Sequence, residues 1–348
     1  MRKKTFKGLA VGLVAVLGLA ACGSDDASTD TTEAVAAAEP TGLACEVTDI
    51  GGVDDKGFNQ IAYAGLQQAE AELGVAIDLL ESASDADYAP NLQSFVDKGC
   101  NVIVTVGFLL ADATKAAAEA NPGVQFAIVD SNTSAPNVQG LTFATDQPSF
   151  LAGYMAAATT QTGIVGTFGG INIPPVAIFM QGFAKGVEYY NAQKGASVKV
   201  LGWDMDKQDG TFAGNFNNLD DGKNIAKSQA DEGADIIFPV AGPVGLGASA
   251  YAMESAGKVK IIGVDVDMTQ SNPEQAEVYV ASVLKKIDAA VLQAVKDALA
   301  GMGGGTDYLG TLSNGGVGVA ITSTITAELE AELDAITTGI IDGSIATS

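Results

Sequence analysis

Acidic side chains follow several predicted strands, at the positions where an α/β protein binds small molecules. They are Asp54 and Asp55 after the first strand, Asp130 at the end of FAIVD, and Asp265 at the end of IIGVD. The carboxyl ends of parallel strands meet at one edge of a sheet, where ligands bind. Several carboxylates in one cleft repel one another unless a ligand or a cation lies between them, and Lys285 is a candidate cation. Taken alone, each Asp is better explained by turn formation or helix capping.

The most informative segment for a ligand site is 49–69, DIGGVDDKGFNQIAYAGLQQA. It predicts the end of a buried strand, a glycine turn, two carboxylates, and a helix that begins at Phe58 with apolar residues at helical spacing. Asp55 lies just before this helix, where an acidic residue can cap it. Asn59 and Tyr63 are four residues apart and share one helix face. Locally the stretch also fits an ordinary solvated loop, so the rest of the chain decides between the two interpretations.

The composition excludes several kinds of site. The 348 residues include no histidine, which removes Ser-His-Asp and Cys-His catalysis and any His-ligated metal site. The formal net charge is −24, and removing the first 21 residues, which carry four basic and no acidic side chains, leaves −28. Such a surface repels nucleic acid and phosphorylated solutes at long range but not neutral ligands. We therefore expect no cofactor, no metal and no nucleic-acid partner.

The N-terminus is predicted to be an export signal. Basic residues precede an apolar run over 8–21, which is shorter than the roughly 20 residues needed to span a bilayer. The run ends in LAACG, which resembles the lipobox of bacterial lipoproteins and makes Cys22 the expected lipidation site. An ordinary signal with an incidental cysteine is the alternative. We assign 1–21 to a signal peptide and 22–42, rich in Ser, Thr, Asp, Ala and Glu, to the lipidated cysteine and a flexible tether. The predicted location is the outer face of the cell membrane.

Two further cysteines, Cys45 and Cys100, each precede an apolar run that predicts a strand, over 45–50 and 101–106. If the two strands are neighbours, a disulfide between their amino ends is geometrically reasonable in an oxidising compartment. It would close a loop of about 55 residues and stabilise the fold by roughly 4 kcal/mol in the entropy model. Two free buried thiols are the alternative.

Strands and helices alternate along the rest of the chain, which predicts parallel sheets covered on both faces. The pattern occurs twice, with a strand at 278–282, a helix at 283–300 and a weak helix near 326–336 closing the chain. This favours an α/β fold of two doubly wound lobes that face each other across a cleft. The predicted division is 43–145 with roughly 283–310 for the first lobe, and 146–282 with roughly 311–348 for the second.

Four segments in this order resemble the basic membrane protein family. They are VDDKGFNQ (53–60), FAIVD (126–130), IIGVDVD (261–267) and SVLKKID (282–288). Members of that family are substrate-binding lipoproteins of ABC importers, and its best-known branch is the purine nucleoside receptors. The resemblance covers nearly all of 44–300. It implies two lobes joined by several crossovers, as in type I periplasmic binding proteins, that close on a ligand.

The resemblance also implies which residues contact the base of a nucleoside. The first Asp of the DDK segment and the Asn of FNQ correspond to Asp54 and Asn59, and the aromatic residue four positions later is Tyr63. A second aromatic residue in the family stacks on the other face of the base. Phe216, in NFNNLDDGK, is the nearest match, and Phe212 is its rival.

The family's ribose contacts correspond to Asp130, Asp265 and Lys285. A backbone contact in the family falls at a Gly-Gly pair, which here is Gly242 followed by Pro243. Carboxylates accept hydrogen bonds from hydroxyl groups with charge-assisted strength, so these residue types suit a diol.

The resulting hypothesis is a lipid-anchored receptor that binds a nucleoside, with a purine favoured, between two lobes. We expect a monomer that delivers its ligand to an ABC permease, since the chain has no nucleotide-binding loop of its own. One alternative keeps the fold and binds a sugar or another neutral metabolite. A second alternative is a hydrolase with paired carboxylates such as Asp54 and Asp55, although adjacent residues rarely face one reacting centre.

Overall fold

The computed structural model describes residues 41–348. The predicted signal peptide, Cys22 and the predicted tether up to residue 40 lie outside the described residues. The last two tether residues belong to the fold, because the Thr41 amide donates to the Gly74 carbonyl at 3.2 Å and the Gly42 carbonyl accepts from the Ala76 amide at 2.9 Å.

The described chain alternates strands and helices. The strands are β1 (Leu43–Thr48), β2 (Ala76–Leu80), β3 (Val102–Val106), β4 (Gln125–Val129), β5 (Val138–Phe143), β6 (Ile164–Gly169), β7 (Lys199–Leu201), β8 (Trp203–Asp204), β9 (Asp209–Gly210), β10 (Ile236–Val240), β11 (Lys260–Asp265), β12 (Tyr279–Lys285), β13 (Asp307–Gly310) and β14 (Val317–Ile321). The helices are α1 (Phe58–Leu73), α2 (Tyr88–Lys98), α3 (Ala111–Ala120), α4 (Asp146–Thr159), α5 (Pro174–Lys194), α6 (Leu219–Asp231), α7 (Pro243–Glu254), α8 (Met268–Ser271), α9 (Ile287–Leu299) and α10 (Ala327–Ile341).

The first sheet has the strand order β13-β5-β4-β3-β1-β2, and all of its pairs are parallel. Successive residues of a strand point to opposite faces. In β1, Ala44 therefore packs in the apolar cluster beneath α1 and α9, while Val47 packs in the cluster beneath α2 and α3. Because both faces are covered, the strands are continuous apolar runs rather than alternating ones.

The second sheet has the order β14-β12-β11-β10-β6-β7, and only β14 runs antiparallel to its neighbour. Phe150, Phe183 and Leu333 bring α4, α5 and α10 onto one face, and Ala226 and Val244 bring α6 and α7 onto the other. Two parallel-dominated sheets, each covered by helices, confirm the predicted fold class.

The chain passes between the sheets three times. It crosses from β5 to α4 after Phe143, from β12 to α9 after Lys285, and from β13 to β14 after Gly310. We call these the first, second and third crossovers. The second crossover falls after Lys285 rather than near residue 283, where the predicted lobes were divided.

The helix predicted at 283–300 begins later, at Ile287, because β12 continues through Lys285. Val283 pairs with Val264 of β11 and Val319 of β14, so the strand is hydrogen-bonded on both sides. Helix α4 was not predicted at all. Nearly every residue between Asp146 and Ala157 is buried, and a helix that is apolar all round lacks the one-sided spacing that identifies surface helices.

Candidate ligand-binding site

The carboxyl ends of strands from both sheets surround one cavity. The space between the protein atoms there, including solvent at the cavity mouth, is about 630 Å³. The first lobe supplies the segments after β1, β3 and β4. The second lobe supplies the segments after β6, β9 and β10 together with the last residues of β11 and β12. This is the location that the strand-end rule predicts for a ligand.

The carboxylate of Asp55 organises the start of α1. It accepts hydrogen bonds from the amides of Gly57 (2.9 Å), Asn59 (2.8 Å) and Gln60 (3.1 Å). These amides lack partners within the helix, so a carboxylate at this position stabilises the helix start. Asp55 is 6% exposed and forms part of the cavity wall.

Asn59 connects two cavity carboxylates and keeps one acceptor free. Its Nδ2 donates to Asp49 Oδ1 at 2.9 Å and to Asp55 Oδ2 at 3.3 Å. Its Oδ1 is buried and has no hydrogen-bond partner among the described residues. A buried polar atom without a partner costs free energy, so this oxygen is suited to accept a hydrogen bond from a ligand.

Asp130 and Asp265 occupy equivalent positions in the two lobes. Each follows or ends a central strand, and each has a left-handed backbone with φ of 67°. That conformation is uncommon for residues other than glycine. Both carboxylates border the cavity, which lies between the lobes.

Among residues 41–348, Lys285 supplies the one ammonium group of the cavity wall, and it lies between the lobes. It is 2% exposed, and its Nζ donates to Asp130 Oδ2 at 2.5 Å. No hydrogen bond within residues 41–348 reaches the carboxylate of Asp265. The wall therefore holds four carboxylates, of which one is paired with a cation, and it presents more acceptors than donors.

Burial raises the pKa of these carboxyl groups, since a low-dielectric site disfavours the charged form. The pKa of Asp49 rises to about 6 although the Asn59 amide opposes the shift, and that of Asp265 rises to about 7 although Lys285 opposes it. Burial also raises the pKa of Asp130 against the effect of Lys285, and that of Asp55 against its amide donors.

Four phenylalanine side chains supply the aromatic part of the wall: Phe58, Phe108, Phe179 and Phe216. Phe216 lies so close to Gly170 that a Cβ there would be 2.2 Å from the ring. Phe212, the alternative match from the sequence, packs against Gly169 and does not line this cavity. Its ring centroid lies 6.4 Å from that of Trp203.

The structure brings together most of the residues singled out from the sequence. Those that border the cavity are Asn59, Asp130, Phe216, Gly242, Asp265 and Lys285. Asp54 is exposed and does not border it, and Tyr63 packs at the edge of the apolar cluster beneath α1 and α9. In their places Asp49 and Phe58 face the cavity.

Asp49 was missed because the first strand was predicted to extend to residue 50. The strand ends at Thr48, so Asp49 is the polar residue at its carboxyl end, and Asp54 lies beyond the glycine turn. The strand-end rule would have selected Asp49 with the correct boundary.

Cys45 of β1 and Cys100, two residues before β3, form a disulfide with Cα atoms 6.1 Å apart. The bond lies at the amino ends of the strands, on the edge of the first sheet away from the cavity.

A membrane-spanning helix and a metal-binding cluster are both absent from residues 41–348. No helix within residues 41–348 combines the length and the apolar character needed to cross a bilayer. In the same part of the protein, no three His, Cys, Asp or Glu side chains are grouped so as to hold a metal ion.

Comparison with known proteins identifies the family. Residues 44–346 match the Bmp family model, which describes PnrA-like substrate-binding proteins of ABC transporters. The chain belongs to the Bmp family. This confirms the resemblance found in the four sequence segments and extends it to residue 346, beyond the end of α10.

Relatives within the Bmp family are similar over most of their length. The ABC transporter nucleoside-binding protein BmpA of Lactococcus lactis subsp. cremoris (strain MG1363) is 32% identical over 364 aligned positions, covering 99% of both chains. Basic membrane protein A of Borreliella burgdorferi (strain ATCC 35210 / DSM 4680 / CIP 102532 / B31) is 32% identical, covering 85% of this chain and 84% of that protein.

Solved structures show the same architecture as this Bmp-family chain. An ABC transporter solute-binding protein from Aeropyrum pernix K1 superposes with a TM-score of 0.77 at 25% identity, covering 87% of this chain and 92% of that one. GanP, a glucose-galactose binding protein from Geobacillus stearothermophilus, has a TM-score of 0.57 at 14% identity, covering 80% and 97%, and shares the fold alone.

Proposed function

We propose that this protein captures a nucleoside, preferably a purine nucleoside, in the cavity between its lobes and delivers it unchanged to an ABC permease. The observation that carries the proposal is the convergence of Asn59, Asp130, Asp265 and Lys285 on one enclosed space. The name of the Lactococcus relative, a nucleoside-binding protein, supports the same ligand class.

The cavity wall has more hydrogen-bond acceptors than donors, which favours a ligand rich in hydrogen-bond donors. Asn59 Oδ1 has no hydrogen-bond partner among the described residues, and no described side chain or amide donates to the carboxylate of Asp265. A nucleoside offers hydroxyl donors on its sugar and N–H donors on its base. Each satisfied acceptor removes a desolvation cost of roughly 1–3 kcal/mol, which is how such a site distinguishes its ligand from an apolar one.

The ribose is assigned to the end of the cavity that holds Asp130, Asp265 and Lys285. Two carboxylates from opposite lobes can accept the hydrogens of neighbouring hydroxyl groups, while the ammonium donates to a sugar oxygen. A diol bound between the lobes would therefore stabilise the closed arrangement.

The base is assigned to the part of the cavity that holds Asp49, Asn59 and Phe216. Phe58, whose ring centroid lies 4.8 Å from Lys285 Nζ, borders both parts. The free Asn59 oxygen and Asp49 accept hydrogen bonds from N–H groups, and the phenylalanine rings supply surfaces for stacking. Stacking of a base on an aromatic ring contributes roughly 1–3 kcal/mol in protein complexes with nucleic acids. Asp49 and Phe58 take the roles that the family resemblance gave to Asp54 and Tyr63. Gly242 adds backbone to the cavity wall.

The charge of the protein selects against nucleotides. The chain carries a formal charge of −24. Within residues 41–348, only Asp130 of the four cavity carboxylates forms an ion pair. A phosphate group would be repelled by both, whereas an uncharged nucleoside would not.

Calorimetry with nucleosides and their 2′-deoxy forms tests the ligand. We expect guanosine, inosine or adenosine to bind, and removal of the 2′-hydroxyl to weaken binding. The variants Asp54→Asn and Tyr63→Phe, which lie outside the cavity, should bind as the parent does, whereas Asp49→Asn and Asp265→Asn should bind more weakly. Saturable binding of sugars with no response to nucleosides would contradict the proposal.

The transport role is tested separately from binding. We infer that Cys22 carries the lipid anchor, so Cys22→Ser should release the protein from membranes of the cells that make it. We also propose that the protein acts as a monomer with a partner permease. Sedimentation measures the first property and co-isolation with membrane subunits the second. Chromatography after incubation with nucleosides should return them intact, and release of free base would support an enzyme instead.

A further inference from the structure

Three phenylalanine rings surround the ammonium group of Lys285. Its Nζ lies 4.8 Å from the ring centroid of Phe58, 5.2 Å from that of Phe143 and 5.8 Å from that of Phe179. All three distances fall within the roughly 6 Å over which a cation is attracted to an aromatic face. Because Lys285 is 2% exposed, water screens these contacts little. We call Phe58, Phe143 and Phe179 the Lys285 cage.

Phe143 differs from the other two members of the cage. Phe58 and Phe179 line the ligand cavity, whereas Phe143 does not. Phe143 is 6% exposed, and its contact with the cavity wall is the 5.2 Å approach of its ring centroid to Lys285 Nζ. A change in the Phe143 ring can therefore affect a bound ligand only indirectly.

Phe143 also contacts the crossovers. It is the last residue of β5, immediately before the first crossover, and its ring lies against Gly310, the last residue before the third. The ring of Tyr308 packs edge-on against it with centroids 5.8 Å apart. Lys285 is the last residue before the second crossover. One aromatic ring thus connects all three points where the chain passes between the lobes.

We propose that Phe143 is a positioning residue for ligand capture. Its ring holds the Lys285 ammonium beside Asp130 and at the cavity, and it joins that ammonium to the first and third crossovers. The proposal rests on the proposed function only in that Lys285 contacts the ligand. Phe143 adds to affinity through a cation–π contact and not through general packing.

Stepwise fluorination of the Phe143 ring separates these two effects. One, two and three fluorine atoms weaken the attraction of the ring for a cation at nearly constant shape. We expect nucleoside affinity to fall at each step, by up to about 30-fold in total, the limit set by roughly 2 kcal/mol for a buried cation–π contact. In a Lys285→Met background the same series should leave affinity unchanged. An equal fall in both backgrounds, or no fall in either, overturns the proposal.

A matched control is Phe126→Leu, compared with Phe143→Leu. Phe126 lies on the neighbouring strand β4 and is 2% exposed, but it faces the cluster beneath α2 and α3. Both substitutions remove a buried ring from the first sheet and should lower stability. Only Phe143→Leu should lower affinity, and a similar loss of affinity for Phe126→Leu would count against the cage.

A measurement on the ligand-free protein distinguishes failure of the cage from failure of the proposed function. In NMR spectra of lysine-labelled protein, the signal absent from Lys285→Met identifies Lys285. Its Hε resonances should lie upfield of other lysines because of ring currents, and Phe143→Leu should move them downfield. If no nucleoside binds but these shifts are seen, the proposed ligand is wrong and the cage stands. Without the upfield displacement, the cage is refuted.

Discussion

The ammonium of Lys285 and the carboxylate of Asp130 form a buried ion pair that joins the two lobes, with Nζ and Oδ2 2.5 Å apart. Lys285 ends β12 of the second sheet, and Asp130 follows β4 of the first. The pair lies in the wall of the ligand cavity, so the group that would contact the ligand also holds the lobes together. Breaking one partner of a buried pair leaves the other charge uncompensated, which costs more than the pair contributes when intact.

Lys285→Met should weaken nucleoside binding by about 1.5–3 kcal/mol, the range for a hydrogen bond that involves a charged group. Asp130 would remain buried without its cation, so the free energy of unfolding should fall as well. Calorimetry and urea unfolding measure the two effects. Lys286→Met is the matched control, because Lys286 is exposed and outside this cavity. Equal affinities for the two variants would show that Lys285 makes no contact with the ligand.

Gly170→Ala should weaken binding through Phe216. The added Cβ would lie 2.2 Å from Phe216 Cε1, so the ring must leave its place in the cavity wall. We expect a loss comparable to one stacking contact, roughly 1–3 kcal/mol. Gly123→Ala is the control, since a Cβ at Gly123 meets no atom within 4 Å. An unchanged affinity for Gly170→Ala would place the base away from Phe216.

Binding should weaken as the pH falls below neutral. In the empty cavity the pKa of Asp265 is about 7 and that of Asp49 is about 6. A carboxylate accepts hydrogen bonds from hydroxyl and N–H groups best when ionised, so binding at neutral pH should release a fraction of a proton, and more as the pH falls toward 6. Calorimetry in buffers of different ionisation enthalpy measures that release, which Asp265→Asn should reduce. A pH-independent affinity between about pH 5 and pH 8 would contradict this linkage.

Glu46→Met should stabilise the protein at neutral pH. Glu46 is fully buried on β1 between Leu79 and Val104 of the neighbouring strands, and neither carboxyl oxygen has a partner among the described residues. We expect a gain of about 1–3 kcal/mol, the cost of an unsatisfied buried polar group.

The pH dependence of this gain provides its check. Burial raises the pKa of Glu46 well above its usual value, so the unfolded chain loses the proton first as the pH rises. Stability of the parent should therefore decrease from the ordinary carboxyl range upward, and the advantage of Glu46→Met should grow from about pH 5 to pH 7.5. Urea unfolding at both values measures it. A constant difference would mean that Glu46 is ionised in the folded protein.

Removing the disulfide should lower stability without lowering affinity. The bond joins residues 55 apart in sequence, for which loop-closure entropy gives roughly 4 kcal/mol. Cys45→Ala with Cys100→Ala should show that loss in denaturant unfolding. Nucleoside binding should persist, because the bond lies at the strand ends opposite the cavity. Loss of binding under conditions where the variant is folded would indicate coupling between the two edges of the sheet.

Local sequence was sufficient to predict strands and helices where apolar runs were bounded by clear turn residues. The alternation of strands and helices, the strand-end residues Asp130 and Asp265, and the helix that starts at Phe58 all follow from residue spacing. Each of these features depends on residues close to it in sequence, so the spacing of apolar and polar residues was enough to predict it.

Tertiary structure decided what spacing could not express. Asp49 rather than Asp54 reaches the cavity because β1 ends two residues earlier than its apolar run predicts. The extension of β12 to Lys285 depends on its pairing with β11 and β14. Helix α4 is buried on all sides and carries no periodic signal. The contact between Phe143 and Lys285 joins residues 142 positions apart. Such features arise from packing between distant segments, which no local pattern of residues records.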